Sequence, residues 1–292
     1  MGKKQPLQHA KQSKLSMVWT QLKKNKTAMA GLVVLILIIL MAIFADVIGD
    51  YTDVAIKMDI PNRLQPPGSE WLFGTDQFGR DVFVRIAHGA RVSLIIGFGA
   101  VVISLAFGGI IGATAGFYGN RWDNIVMRVM DIIMAIPSTI LALAVVAALG
   151  KGVINLMIAI AVADIPNYAR VVRSSVLTIR NADYVEAASA AGAGTGRILA
   201  RHIIPNVLGP IIVQCTLGIG SSILNAAGLS YIGLGVESPR PEWGNMLSEA
   251  REFIQSAPHL IIIPGVFLAL TVLALNLLGD GLRDALDPRL KD

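Results

Sequence analysis

The sequence predicts an all-α polytopic membrane protein with six transmembrane helices. Three observations carry that prediction. Hydrophobic residues make up 54% of the chain and charged ones 15%, against about 25% charged in an average soluble domain, and a soluble core of this size cannot hide that excess. Six stretches are apolar over the roughly 20 residues that a bilayer crossing needs: 28–48, 91–117, 125–149, 153–169, 204–235 and 259–279. The basic residues between them alternate in abundance from one side to the other, the asymmetry that sets orientation in a membrane.

The first stretch, 28–48, follows a Lys-rich segment, 1–27, and is expected to stay attached. Ala42-Ile43-Phe44-Ala45 loosely suits a signal-peptide cleavage site. However, the basic lead-in is long and the apolar core exceeds the usual 7 to 15 or so residues. Met1-Gly2 is not a lipidation signal, because Pro6 stands where Ser or Thr is required.

An external segment, 49–90, comes next. From Gly79 to Ala90 it places Val82, Phe83, Ile86 and Ala87 on one side and Arg80, Asp81 and Arg85 on another. That pattern predicts an interfacial helix lying on the membrane. Asp76 and Asp81 lack the regular oxygen-ligand spacing of a calcium loop, so no metal site is expected.

The remaining spans form the core, 91–280, ahead of a tail, 281–292. The fifth span is long enough to tilt or to break near Gly218 and Gly220. Ionisable groups within spans are functional suspects by default. Asp131, three residues after Arg128, and Asp164, ahead of Pro166 with Arg170 beyond, are expected to be structural ion-pairing groups rather than relay or substrate groups. Gln214 and Asn276 read as interhelical hydrogen-bonding groups. The single Cys215 excludes a disulfide within the chain and any cysteine-based metal cluster, and it reads as a small buried hydrophobe. In the external loop 236–258, "SPRPEWGNMLSEAREFIQ" predicts a turn and then an amphipathic helix with Trp243 as an interface anchor.

With the N-terminus inside, 17 of the 25 Lys and Arg fall on the cytoplasmic side and eight outside. Both termini are then cytoplasmic, and so is the loop 170–203. Within it, "NADYVEAASAAGAGTGRILARHIIPN" (181–206) predicts a short helix from Asp183 to Ala191 with Asn181 or Asp183 as its cap. Gly192-Ala193-Gly194 breaks it, and a second helix runs from about Thr195 to the turn before Pro205, with Arg197 and Arg201 on one face. A cytoplasmic surface of Ala and Gly lets a partner's backbone approach closely.

Glu186-Ala187-Ala188, Gly192 four positions after Ala188, and Ile204-Pro205 further on resemble the EAA loop of ABC importer permeases. The family pattern is Glu-Ala-Ala-x3-Gly-x9-Ile-x-Leu-Pro. Here His202 takes the Ile position and Ile204 the Leu position. The stretches "FGTDQFGRDVFVRIAHGARVSL" (73–94), "MRVMDIIMAIPS" (127–138), "LSYIGLGVESPRPEWGNMLSEAR" (229–251) and "LLGDGLRDALDPRLK" (277–291) are similar to the second permease of dipeptide and oligopeptide importers.

The resemblance implies a type I ABC importer permease fold in a bacterial inner (plasma) membrane. It also implies a sister permease, two cytoplasmic ATP-binding subunits and an extracytoplasmic substrate-binding protein as partners, besides membrane lipid and without nucleic acid. Glu186, Ala187, Ala188, Gly192, Arg197, Arg201 and Pro205 would then form the coupling surface for an ATPase. The cargo would be di- or oligopeptides, with nickel chelates or glutathione as alternatives. A proton-driven transporter using Asp131 or Asp164 is the rival from another class, while a channel would want a pore-lining filter, and none is visible. The chain has no Gly-x4-Gly-Lys-Ser/Thr phosphate loop, since "GAGTGRIL" lacks the Lys. No catalytic residue and no cofactor are therefore expected in it; ATP and Mg2+ would be held by the partner ATPases.

Overall fold

The computed structural model describes residues 14–286, which are almost wholly helical. Among them the only extended pairing is a single bridge between Thr75 and Asp81. The helices are α1 (Lys14–Lys24), α2 (Lys26–Ile43), α3 (Ala45–Ile48), α4 (Val82–Tyr118), α5 (Asn120–Met134), α6 (Ser138–Leu149), α7 (Val153–Ile179), α8 (Asp183–Ala190), α9 (Thr195–Ile198), α10 (Leu208–Tyr231), α11 (Trp243–Ala250) and α12 (His259–Leu286). Local chemistry sets several boundaries. Asn25 separates α1 from α2 and accepts the Ala28 N–H at 3.1 Å, and Asp81 accepts those of Phe83 and Val84 at the start of α4. Each side chain satisfies donors that a helix leaves free in its first turn.

By length and composition α2, α4, α10 and α12 can each cross a membrane, and α5 with α6 makes a fifth crossing if counted as one. The predicted fourth span, 153–169, is the N-terminal part of α7. That helix is long enough, but Asp164, Asn167 and Arg170 end its apolar run. The predicted straight span 125–149 is broken: α5 and α6 meet at 84°. Pro137 has no N–H to continue the helix, and it pushes the residue before it out of the helical region.

Two further expectations are corrected. Residues 82–90 do not form a separate surface helix. They are the first turns of the 37-residue α4, and Val84, Arg85, Ile86, Ala87 and His88 are buried in protein. The fifth span does not break at Gly218 or Gly220. α10 runs straight through, and Gly218 makes room for the Tyr168 hydroxyl, which a Cβ there would strike.

The pair α4 and α7 forms the spine. Gly108, Gly112 and Gly116 recur every four residues along one face of α4 and meet Ile165, Ala169 and Arg173, spaced likewise on α7. A Cβ at Gly108 would sit 2.6 Å from the Ile165 carbonyl oxygen, and one at Gly112 would collide with that of Ala169. Small residues let the backbones close up where lipid provides no hydrophobic drive. On the other side of α4 pack α10, α12 and α2, while α6 rests on α7.

At the end of the bundle where α4 begins, the segment 49–81 folds back over α4 and α11. Arg80 bridges Asp76 and Glu249, both at 2.6 Å, and Arg85 reaches Glu249 at 3.2 Å and the Ala55 carbonyl at 3.0 Å. Glu242 accepts from the Gly244 and Asn245 N–H groups and from Ser93. Trp243 is not an interface anchor. It is fully buried, and its indole N–H donates to the Ile86 carbonyl at 3.2 Å.

Candidate functional site

At the opposite end α7 runs on past Asp164, and it and its C-cap residue carry three arginines, each committed to a different partner. Arg173 donates twice to Asp123 of α5, one contact at 2.6 Å and the other shorter. That carboxylate raises the guanidinium pKa further above its ordinary value, hydrogen bonding outweighing burial. Arg170 pairs with Asp131 at 2.9 Å, and Arg180 donates to the Gly116 carbonyl at 3.2 Å. Asp131 is thus an ion-pairing group, though with Arg170 rather than the nearby Arg128. Asp164 is not ion-paired among the described residues, so the expected pairing is not formed there. Its one side-chain partner is the Asn167 amide, at 3.4 Å. Gln214 and Asn276 make no side-chain hydrogen bond among the described residues, so the expected interhelical bonds are not formed within this chain. Cys215 is half-buried beside the inner cluster of apolar side chains.

Beyond Arg180 the chain turns into α8. Its cap position is Ala182, without a side-chain hydrogen bond, so neither Asn181 nor Asp183 caps it. Asp183 and Glu186 in the first turn still complement the positive end of the helix dipole. At the other end the Gly192 N–H bonds to the Ser189 carbonyl and the Ala193 N–H to that of Ala188. Gly192 holds φ at +79°, the left-handed conformation that ends helices in this way. The second helix is irregular. α9 is a single turn, followed by a wide turn over Leu199–Ile203 and a tight one over Ile204–Asn206.

Val185, Ile198, Ile203 and Val207 fix this double turn by packing on Val172, Val176, Ala113 and Ile211. What remains outside is mostly small and polar, with Tyr184 and Ile204 the large side chains exposed among it. Glu186, Ala187, Gly192, Arg197, Arg201 and Pro205 are exposed, and Ala188 is half-buried. A Cβ at Gly192, Gly194 or Gly196 would meet nothing within 4 Å. Among the described residues Glu186, Arg197 and Arg201 form no ion pair. The seven predicted residues, six of them exposed, sit on this double turn, a ledge acidic at the start of α8 and basic past the glycines. Tyr184, 42% exposed on the first turn of α8, was not singled out from sequence. An aromatic beside the buried Val185 in a small-residue segment was the available signal. No group of three or more potential metal ligands occurs among the described residues.

The family described as binding-protein-dependent transport system inner membrane component matches residues 108–292. The chain belongs to that family. Residues 13–67 match a second description, the N-terminal transmembrane domain of oligopeptide transport permease C. The permease is 50% identical to the dipeptide transport system permease protein DppC of Alkalihalophilus pseudofirmus, over 93% of this chain and 88% of the relative. It is 47% identical to the di/tripeptide permease DppC of Pseudomonas aeruginosa, over 96% and 94%. To the glutathione transport system permease GsiD of Escherichia coli it is 45% identical, over 94% and 90%. Its fold resembles the inward-facing MetNI methionine ABC transporter, with TM-score 0.58 at 18% identity over 70% of this chain and 96% of that one. The protein is a multi-pass inner-membrane permease with the ABC importer fold.

Proposed function

We propose that the permease imports di- or oligopeptides, forming the path with a sister permease above two cytoplasmic ATPases. An extracytoplasmic binding protein delivers the cargo, and both termini of this chain face the cytoplasm. The carrying observation is the ledge 183–205: largely exposed, rich in small residues and packed through Val185, Ile198 and Ile203 onto the end of α7. Glu186 meets a donor on the ATPase surface, Arg197 and Arg201 lie against its acidic or carbonyl groups, and Gly192 sets the turn between the two helical pieces. ATP binding draws the ATPases together and carries the ledge with them, and hydrolysis lets it return. Driving such a switch from 1:99 to 99:1 takes about 5.5 kcal/mol of bias, which only a ledge well fixed to its helices transmits.

Peptide cargo rests on the dipeptide and di/tripeptide relatives, and glutathione stands second on the 45% identical relative. Glutathione is itself a tripeptide, so both readings ask for the same path. The test is uptake of radiolabelled dialanine and of glutathione by cells lacking other routes and expressing the whole transporter. Failure to restore either uptake at normal abundance would overturn the cargo assignment.

A further inference from the structure

Asp164 is the carboxylate of the bundle whose environment does not account for it. Asp123 and Asp131 are matched by Arg173 and Arg170, and Arg180 is held by the Gly116 carbonyl. The arginines of α7 are therefore spoken for, and Asp164 has only the Asn167 amide. It shares a cavity with Asn225 of α10 and with Ser138 and Thr139 at the start of α6, between apolar walls that include Ile160 and Leu229. None of Asn225, Ser138 and Thr139 makes a side-chain hydrogen bond among the described residues. At 1.5 Å per residue, Asp164 lies about 16 Å below the outer end of α7 and Thr139 about 15 Å below that of α6. Both fall near the middle of a hydrocarbon layer about 30 Å thick. The cavity lies beside the break at Pro137 between α5 and α6, and secondary transporters hold charged cargo at discontinuous helices near mid-depth.

We propose that this cluster is a transit site for the amino-terminal ammonium of the peptide. The assignment rests on the peptide-import reading above. The space admits one water-sized group, which is the size of an ammonium head. Asp164 supplies the opposite charge, and Asn225 with the two hydroxyls supplies neutral oxygen acceptors for the remaining N–H bonds. A metal ion is less well served, because hard cations want six or so oxygens and usually several carboxylates. Ser138 and Thr139 are exposed on the surface of this chain, so the site opens sideways, where a passing peptide reaches it.

The test is transport by the complete complex carrying Asp164→Asn or Asp164→Glu. Three quantities are read: membrane abundance, ATP hydrolysis stimulated by loaded binding protein, and maximal uptake of dialanine. Asp164→Asn should keep abundance and stimulated hydrolysis while maximal uptake falls about tenfold or more, the worth of one hydrogen bond to a charged group. Asp164→Glu should recover most of the rate. Unchanged uptake in Asp164→Asn overturns the site. So does loss of stimulated hydrolysis in step with uptake at normal abundance, which would make Asp164 a coupling group rather than a cargo site. Loss of wild-type uptake when the proton gradient is collapsed at constant ATP makes it a proton carrier instead. If Asp164→Asn fails to reach the membrane, Asn225→Leu must lower maximal uptake at normal abundance, and equality with wild type overturns the proposal. Failure of the wild-type complex to import dialanine defeats the peptide reading itself, a separate outcome.

Discussion

A valine at position 192 would have to hold φ at +79°, where β-branched side chains cost about 1–3 kcal/mol. Nothing lies within 4 Å of the missing Cβ, so the loss is purely one of backbone and local to the ledge. Gly192→Val should leave membrane abundance near normal and reduce ATPase co-purification. Glu186→Arg makes the complementary test. Glu186 is exposed and has no ion-pair partner among the described residues, so reversal costs only the dipole interaction, about 0.3–1 kcal/mol. A loss of ATPase association larger than that measures contact with the partner. If both variants retain normal stimulated hydrolysis and uptake, the ledge is not the coupling element. Gly112→Leu should behave oppositely. Its side chain would drive into the Ala169 backbone, and overpacking of this kind costs about 1–3 kcal/mol or more. Abundance should fall before any question of coupling arises, which an immunoblot of membranes would show.

The elements differ in how they are tied, and the ties between α5 and α7 can be ranked. Asp123 is buried and grips Arg173 with two oxygens. Asp131 and Arg170 are each about half exposed, at 53% and 52%. Asp123→Ala should therefore destabilise the α5–α7 contact by about 1.5–3 kcal/mol. Asp131→Ala should cost about 0–1 kcal/mol, and thermal unfolding of the detergent-purified complex would rank the two. Equal shifts would mean that the bundle does not feel this pairing. The same contrast shows what a local reading of sequence reaches. Four of the six spans were legible because an apolar run is a one-dimensional signal, and the glycine turn of the ledge because only glycine takes that φ freely. The amphipathic pattern of 79–90 was visible, but its polar face meets Glu249, whose position is some 165 residues further along the chain. Burial against protein and burial against lipid leave the same trace in sequence. Trp243 misleads for the same reason, since its partner is the Ile86 carbonyl. The bend at Pro137 left a local signal, a proline in mid-span, yet only the structure shows the cavity that it opens beside Asp164.

Across the whole molecule the assignments converge on one orientation, and the coupling reading fails without it. The ion-paired cap built on Arg80, Arg85 and Glu249 occupies one end of the bundle and the ledge the other. The 17-to-8 division of basic residues puts the ledge inside. Ser69 lies exposed in the segment folded over the cap, Ser256 is exposed beyond α11, and Ser189 is exposed on α8. In a Cys215→Ser background, single cysteines at these positions report the side directly. Ser69→Cys and Ser256→Cys should react with a membrane-impermeant maleimide in intact spheroplasts, and Ser189→Cys only after permeabilisation. The ATPases themselves supply a second contrast, because a docked partner shields the ledge but not the cap. Reaction at position 189 in permeabilised membranes should slow when the ATPases are co-expressed and return when they are stripped with urea, while positions 69 and 256 stay unchanged. Fast labelling of Ser189→Cys from outside would reverse the molecule and move the ledge to the side from which no ATPase can reach it.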